Sequence, residues 1–152
     1  MITEFSGPVW RILFRSQLGT PLAPARAPEG RFHHSGQFAL YASLSAEGAG
    51  IAIRRYVSPC DPPRVIQQFQ VSAAHLMDLR GRADVSIVWQ DLRDNGTPSP
   101  TWRFSDEARA VGADGLLYSS RSRPELSHLV LFSTGVNLIQ PASTPNDWRP
   151  ER

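Results

Sequence analysis

The stretch GRFHHSGQFALYASLSAEGAGIAIRRY, residues 30–56, decides how this 152-residue chain is organised. It begins with a Gly-Arg-aromatic turn at 30–32, and an apolar run then leads to Tyr41. A segment with helical character follows and carries two arginines at 54–55. The order is turn, strand and helix, with polar side chains at the junctions, where rigid elements commonly position functional residues. We therefore expect the functional site to be built on this stretch.

The local pattern of the stretch predicts its two regular elements. Alternation predicts a strand over 37–43, with Leu40 on one face and Tyr41 on the other. Ser45 is suited to cap a helix over 46–56, because its hydroxyl can accept a backbone N–H of the first turn. Glycines within that helix lower its intrinsic stability, so we expect tertiary contacts to hold it.

The rest of the chain predicts a single α+β domain. Other strands are expected over 9–15, 65–71, 76–79, 115–118 and 128–132, the last of them central, and helical segments over 83–94 and 105–112. There is no regular βαβ alternation and no GxGxxG or P-loop sequence, so the sheet should be mixed or antiparallel. The domain is expected to span 1–139, and the proline-containing segment 140–152 should form an extended or mobile tail.

Composition excludes several classes of protein. At 41% hydrophobic and 20% charged, the chain has an ordinary globular composition and is long enough to bury a core. No apolar run approaches the roughly 20 residues of a membrane span, and the N-terminus lacks signal-peptide features, so we expect a cytoplasmic protein. A net charge of +2 does not by itself indicate nucleic-acid binding. The single cysteine, Cys60, excludes an internal disulfide and a cysteine-based zinc site.

Arg31 is the first candidate for binding an anion. It lies between a glycine and an aromatic residue at the mouth of a strand, which suits a side chain that reaches into a cleft for a phosphate. A surface arginine stacked on Phe32 is the alternative. All sixteen cationic residues of the chain are arginine, which either a GC-rich genome or phosphate binding would explain.

Further polar side chains follow the predicted strands. Tyr41 is either a stacking platform for a flat ring or a half-buried strand tyrosine. Ser119, Ser120 and Arg121 follow a strand and either bind phosphate or ribose hydroxyls or form a solvated loop. No GxSxG elbow surrounds either serine, which disfavours a serine hydrolase.

The histidines do not indicate a metal site. His33 and His34 are adjacent, so their side chains diverge in an extended segment, and His75 and His128 are far away in sequence. A ribonuclease that uses His33 or His34 with Arg31 remains an alternative, although no basic patch interleaved with aromatic residues supports it.

Taken together, these motifs resemble the RES-domain family, toxins of bacterial toxin–antitoxin pairs named for an arginine, a glutamate and a serine. The resemblance covers residues 8–135 and depends on the order and spacing of short motifs. The matching segments are Trp10-Arg11, Gly30-Arg31-Phe32, Ala39-Leu40-Tyr41, Glu47-Gly48-Ala49, Gly115 to Arg121 and His128 to Phe132.

The resemblance implies an ADP-ribosyltransferase-like fold whose central cleft takes NAD as substrate, without a metal. Arg31 would hold the NAD phosphates, Tyr41 would pack on the nicotinamide or its ribose, and Ser120 would complete the catalytic pocket. The resemblance also implies nucleotide-binding positions at Phe32, Ser119 and Arg121.

The implied activity is cleavage of NAD at the nicotinamide–ribose bond with transfer of ADP-ribose to a protein acceptor. The family resemblance suggests an acceptor in nucleotide metabolism. Attack by water or phosphate is the alternative. The implied partner is an Xre-like helix-turn-helix antitoxin that covers the cleft; neither nucleic acid nor membrane is an expected partner of the chain itself.

One residue departs from the family pattern. The position of the family glutamate falls on Ala52, which cannot hold the ribose 2′-hydroxyl or stabilise the positive charge that develops as the bond breaks. Glu47 lies five helical residues earlier and is turned away by about 140°. The glutamate was either replaced deliberately or is naturally absent. We expect weak activity at best, and a non-enzymatic nucleotide- or peptide-binding module is the alternative class.

Overall fold

Two long strands form the frame of the fold. The computed structural model describes residues 1–150. Its strands are β1 (Ile2–Phe14), β2 (Leu40–Ser43), β3 (Arg64–Asp78), β4 (Gly115–Ser119), β5 (Ser127–Leu131), β6 (Ile139–Pro141) and β7 (Asn146–Trp148). β1 and β3 pair antiparallel along almost their whole length. The strand expected over 9–15 is the second half of β1, which ends one residue earlier, at Phe14.

The separate strands expected over 65–71 and 76–79 are one strand, β3. Its buried positions fall on odd numbers up to Val71 and on even numbers from Ala74 to Leu76. Ala73 between them has a φ of 52°, and the register with β1 shifts between Phe5 and Gly7. A β-bulge therefore changes the phase of the alternation. The alternation of apolar residues is interrupted at Ala73, although the strand itself continues.

The strand pairings close into a ring. Neighbours follow the order β1-β2-β5-β4-β3, and β1 also pairs with β3. β4 runs parallel to β3, whereas the other neighbours in this ring are antiparallel. β5 has a partner on each side, which confirms the prediction that the HLVLF strand is central.

Three α-helices pack around the sheet: α1 (Ala46–Ile53), α2 (Gln90–Asp94) and α3 (Trp102–Ala110). Helix α1 continues as a 3₁₀ turn at Arg54–Tyr56, so the helix expected over 46–56 is confirmed. The predicted cap is also confirmed, because the Ser45 Oγ accepts the Gly48 N–H at 2.9 Å. The expected tertiary support includes a side chain of β7: a Cβ added at Gly50 would lie 3.5 Å from the Trp148 ring.

The remaining helical segments and the C-terminal strands refine the predicted boundaries. Residues 83–94 contain a 3₁₀ turn, Ala83–Val85, followed by α2. Helix α3 begins at Trp102 rather than at Ser105. β6 overlaps the start of the predicted tail and β7 lies within it, and both strands pair with β3. Residues 151–152 lie outside the described range. No helix in residues 1–150 has the length and apolar character of a membrane span.

The two faces of β2, β4 and β5 serve different parts of the molecule. Leu40 and Ala42 belong to the cluster inside the ring, which includes Val9, Phe69, Leu117, Leu129 and Leu131. Ala39 and Tyr41 face the second cluster, which includes Phe32, Phe104, Leu116 and Val130. The predicted alternation along β2 is therefore confirmed. The second face carries the candidate site.

Gly115 provides the first test of this fold. A Cβ there would lie 1.9 Å from the Val130 carbonyl oxygen, so Gly115→Ala forces β4 and β5 apart. We expect the free energy of unfolding to fall by about 1–3 kcal/mol or more, measured by urea denaturation. Gly19→Ala is the matched control, because nothing lies within 4 Å of the added atom. Equal midpoints for the two variants would contradict the close approach of the strands.

Candidate functional site

A row of polar side chains crosses three strands of the sheet. Ser43 of β2 is opposite His128 of β5, which is opposite Tyr118 of β4. The Ser43 Oγ lies 2.7 Å from the His128 Nδ1, and the rings of His128 and Tyr118 are 5.5 Å apart between centroids. Period-two geometry places all three on the same face of the sheet. Two members of this row, Tyr118 and His128, line the candidate site.

The turn at residues 30–32 is held by α3 and the residue before it. The Trp102 Nε1–H donates to the Gly30 carbonyl at 2.8 Å, and the Arg109 guanidinium donates to the Phe32 carbonyl at 2.9 Å. Between them, the Thr101 hydroxyl donates to the Arg31 carbonyl. Three consecutive carbonyls thus accept side-chain hydrogen bonds, which fixes the backbone from which the Arg31 side chain projects.

Tyr41 and His33 form a second support for the turn. The Tyr41 hydroxyl accepts the Phe32 N–H at 3.0 Å and lies 2.7 Å from the His33 Nδ1. The His33 Nε2 lies 2.9 Å from the Ala27 carbonyl, which can only accept, so Nε2 carries the proton and Nδ1 accepts from Tyr41. Burial lowers the pKa of His33 and raises the pKa of Tyr41. Both groups are consequently neutral.

The glycine of the turn is required by this packing. A Cβ added at Gly30 would lie 2.4 Å from the His33 Cε1 and 3.2 Å from the Tyr41 hydroxyl. Its backbone N–H donates to the His33 carbonyl at 2.8 Å. The Gly-Arg-aromatic motif therefore combines a close approach at glycine with the cation that follows it.

Arg31 is a half-buried cation with unused hydrogen-bonding capacity. Its Cζ lies 5.2 Å from the Phe32 ring centroid and 4.9 Å from that of Tyr118, and Nη2 donates to the Val85 carbonyl at 2.6 Å. Its Nε is buried without a hydrogen-bond partner among the described residues. Burial lowers its pKa, but a guanidinium stays charged in proteins. Such a group is ready to bind an anion.

A cavity of about 460 Å³ brings the predicted residues together. Its walls are the 29–33 turn, the end of α1 with the following 3₁₀ turn, the segment before α2, and the residues after β4. Five of the predicted positions line it: Arg31, Tyr41, Ala52, Ser120 and Arg121. Arg55 adds a third guanidinium to the lining.

Phe32 and Ser119 were expected to bind the nucleotide, but they do not line this cavity. Phe32 is fully buried and packs edge-on against Tyr118, with 4.7 Å between ring centroids. The Ser119 Oγ accepts the Gly81 N–H at 2.9 Å, because odd-numbered positions of β4 face away from the site. Ser120 is buried, and its Oγ accepts the Arg123 N–H at 3.3 Å, which leaves its own proton available to a ligand.

The two glutamates nearest to the cavity form ion pairs with arginines. Ala52 lines the cavity where the family glutamate was expected. Glu47 lies outside the lining and pairs with Arg123 at 2.9 Å. Glu29 does line the cavity, but Arg93 binds both of its oxygens, at 2.9 and 3.1 Å, and this hydrogen bonding lowers the pKa of Glu29. No uncommitted carboxylate lines the cavity within residues 1–150.

Sequence reasoning missed Tyr118 and His128. Burial raises the pKa of Tyr118 to about 12, and burial near Arg31 lowers the pKa of His128 to about 4. Tyr118 could have been found from the alternation of β4, which puts it on the same face as Ser120. His128 could not, because its place beside Ser43 and Tyr118 depends on the strand order.

His34 and His75 do not line the cavity. The His34 Nε2 contacts both Asp106 oxygens, at 2.9 and 3.0 Å, and its ring stacks near Trp102 outside the cavity. No group of three or more His, Cys, Asp or Glu residues in the described chain is arranged to hold a metal ion.

The buried His128 gives a pH-dependent prediction. Its pKa is 6.5 in ordinary surroundings and about 4 here, so the unfolded chain binds a proton that the folded protein excludes. Stability therefore falls as pH falls below 6.5, by about 2 kcal/mol between pH 7 and pH 5. Arg31 is the charge that faces this ring, with Tyr118 and Ser43 as its other polar neighbours.

Urea denaturation at the two pH values measures this effect. In His128→Asn the loss of stability between pH 7 and pH 5 should be much smaller, whereas the exposed His75→Asn should keep it. A residual loss is expected from His33, whose pKa is lowered in the same direction. An unchanged loss in His128→Asn would show that His128 does not titrate as its burial requires.

The fold and the cavity define an α+β domain with a cation-lined site between a turn, a helix and three strands. The model of the RES domain family matches residues 8–149, and the chain belongs to this family.

No curated protein matches the chain. Among solved structures, it is similar to a chain of the crystal structure of the M. tuberculosis MbcT–MbcA toxin–antitoxin complex. The TM-score is 0.63 at 13% identity, and the match covers 98% of this chain and 87% of the other. At this identity the similarity supports the fold alone.

Proposed function

We propose that this protein is the toxin of a bacterial toxin–antitoxin system that cleaves NAD at the nicotinamide–ribose bond and transfers ADP-ribose to a protein acceptor. One observation carries the proposal. Arg31, Tyr41 and Ser120 come from three separate parts of the chain and line one cavity together with Ala52. Membership of the RES family and the fold shared with a chain of a toxin–antitoxin complex add support.

The cavity has the chemistry that a dinucleotide requires. Arg31, Arg55 and Arg121 supply guanidinium groups, which bind phosphate oxygens through paired N–H donors. Aromatic side chains, among them Tyr118 and Trp89, supply flat apolar surface for the rings. The volume lies within the range of about 300–1,000 Å³ found for ligand sites. These features together fit NAD as the substrate.

The proposed reaction explains why we expect this protein to have weak catalytic activity. The bond between the nicotinamide nitrogen and the ribose carbon breaks, the electron pair leaves with nicotinamide, and positive charge develops on the ribose. A fixed negative group near that charge normally provides much of the rate enhancement. Ala52 cannot provide it, and Glu29 is paired with Arg93. Positioning by Arg31 and Tyr41 remains and supports slow turnover.

The proposed partner is an Xre-like helix-turn-helix antitoxin that covers the cavity in the cytoplasm. Tyr56 lines the cavity and is 58% exposed, and Val88, beside the lining residues Ile87 and Trp89, is 37% exposed. Exposed apolar side chains around a cleft are typical of protein contact sites. The ADP-ribose acceptor, an enzyme of nucleotide metabolism in our proposal, would have to use the same opening.

NAD labelled in its adenylate half tests the proposal and distinguishes the acceptors. The protein and its Ala52→Glu variant are incubated with labelled NAD, with and without a bacterial lysate lacking the toxin. Nicotinamide release with label on a lysate protein supports transfer. Release with label only on free ADP-ribose or its phosphorylated form supports hydrolysis or phosphorolysis. Absence of release from both proteins contradicts the enzymatic proposal.

The second candidate is a non-enzymatic module that binds a nucleotide or peptide in this cavity. The absence of an uncommitted carboxylate in the lining of the described chain favours it. Under this alternative Arg31→Ala should retain a peptide partner. An RNA-cleaving toxin has less support, because both His33 ring nitrogens are hydrogen-bonded and His34 lies outside the cavity.

A further inference from the structure

His128 presents a free ring nitrogen to the cavity. Its Nδ1 is hydrogen-bonded to the Ser43 Oγ at 2.7 Å, whereas Nε2 has no hydrogen bond within residues 1–150. In that range the fully enclosed side-chain atoms without a partner are the Arg31 Nε and the Gln67 Oε1. The His128 Nε2 is therefore not sealed inside the protein. Because His128 lines the cavity, this nitrogen faces the space where a ligand would bind.

Other groups in the cavity that could take a proton are already occupied. The Glu29 carboxylate binds Arg93 through both oxygens. His33 donates from Nε2 to the Ala27 carbonyl and accepts at Nδ1 from Tyr41. Arginine is always protonated, and Tyr41 and Tyr118 are neutral acids whose pKa values are raised by burial. Among the described lining residues, His128 is the uncommitted base.

We propose that His128 is a further catalytic residue, whose Nε2 accepts the proton of the nucleophile that attacks the ribose carbon. This inference rests on the proposed cleavage of NAD. In the step, the carbon–nitrogen bond to nicotinamide breaks and its electron pair stays on the ring nitrogen. The oxygen of water or of an acceptor hydroxyl forms the new bond to that carbon. The proton of this oxygen moves to His128 and then to solvent.

The surroundings of His128 suit this role. For Nε2 to accept a proton, Nδ1 must carry one, and the Ser43 Oγ is positioned to accept it and so fix the tautomer. Burial, together with the nearby Arg31 charge, lowers the pKa of His128 and keeps the ring neutral near pH 7. The resulting base is weak, which is adequate when the attacked carbon already carries positive charge and the nucleophile loses its proton late.

Two amide substitutions separate the functions of the two ring nitrogens. His128→Asn places an amide near the Nδ1 position, where it can keep the Ser43 contact, and removes Nε2. His128→Gln places an amide near Nε2 but supplies no basic nitrogen. In the Ala52→Glu background we expect both to lower kcat for nicotinamide release by about 100-fold, the lower end for a general base, with KM little changed.

Added imidazole should restore part of the His128→Asn activity, which a purely structural role would not allow. Ser43→Ala is the comparison variant, and its loss of kcat should be smaller because the base remains. Unchanged kcat in both amide variants, or a raised KM with unchanged kcat, overturns the role of His128 alone. Absence of nicotinamide release from the protein and from Ala52→Glu instead overturns the NAD proposal and this inference with it.

Discussion

Ala52→Glu is expected to release nicotinamide from NAD about 100- to 1,000-fold faster than the Ala52 protein, the range associated with a single group that stabilises developing charge. Ala52 lies on α1, is exposed and lines the cavity, so a longer side chain there extends toward bound substrate. Glutamate is nearly as good a helix former as alanine, so the fold should tolerate the change. The added carboxylate would face three guanidinium groups and would remain ionised.

The matched control is Ala46→Glu. It places the same side chain on the same helix, at an exposed position outside the cavity lining. Nicotinamide is quantified by chromatography over a time course at saturating NAD. If Ala52→Glu is no faster than Ala46→Glu, Ala52 does not mark the position of a catalytic carboxylate, and the binding-module alternative gains support.

Arg31→Ala in the Ala52→Glu background is expected to lower kcat/KM for NAD by about 100- to 1,000-fold. Arg31 is half-buried beside the rings of Phe32 and Tyr118. Removal of one partner of a buried charge pair, such as the pair that Arg31 would form with bound phosphate, commonly costs about 2–5 kcal/mol. The diphosphate of the substrate would then lose the Arg31 guanidinium, whose buried Nε has no partner among the described residues. Arg55 and Arg121 remain in the lining and should sustain residual binding.

Two further variants distinguish the cause of this loss. Arg31→Lys keeps a positive charge but lacks the planar fork, so it should recover little of the activity. Arg26→Ala removes an exposed arginine outside the cavity lining and should behave as the unmodified background. Thermal unfolding of each variant identifies losses that arise from misfolding. Full activity in a folded Arg31→Ala would contradict phosphate binding by this residue.

The sequence was most informative where local chemistry decides structure. The Ser45 cap, the helix after it and the alternation around Tyr41 depend on neighbours in sequence, and each is confirmed. The continuity of β3 was missed because the bulge at Ala73 changes the phase of alternation. Alternation along the sequence cannot show that two apolar runs on either side of a bulge belong to one continuous strand.

The candidate site was predictable only in part, because much of it is assembled from distant residues. The Gly-Arg-aromatic motif identified Arg31, but the hydrogen bonds from Thr101, Trp102 and Arg109 that fix its turn depend on where α3 packs. His128 enters the site because β5 lies between β2 and β4. By contrast, the alternation along β4 is visible in the sequence, and it predicts that the side chains of Ser119 and Ser120 lie on opposite faces.

Calorimetric titration of NAD into the Ala52 protein tests the central claim most directly, because slow turnover allows binding to be observed without cleavage. The cavity should bind one NAD per chain, and Arg31→Ala should weaken this binding at least tenfold, as expected for a lost charged hydrogen bond. Arg26→Ala should bind as the Ala52 protein does. Absence of NAD binding, or equal binding by a folded Arg31→Ala, would contradict the assignment of this cavity to NAD.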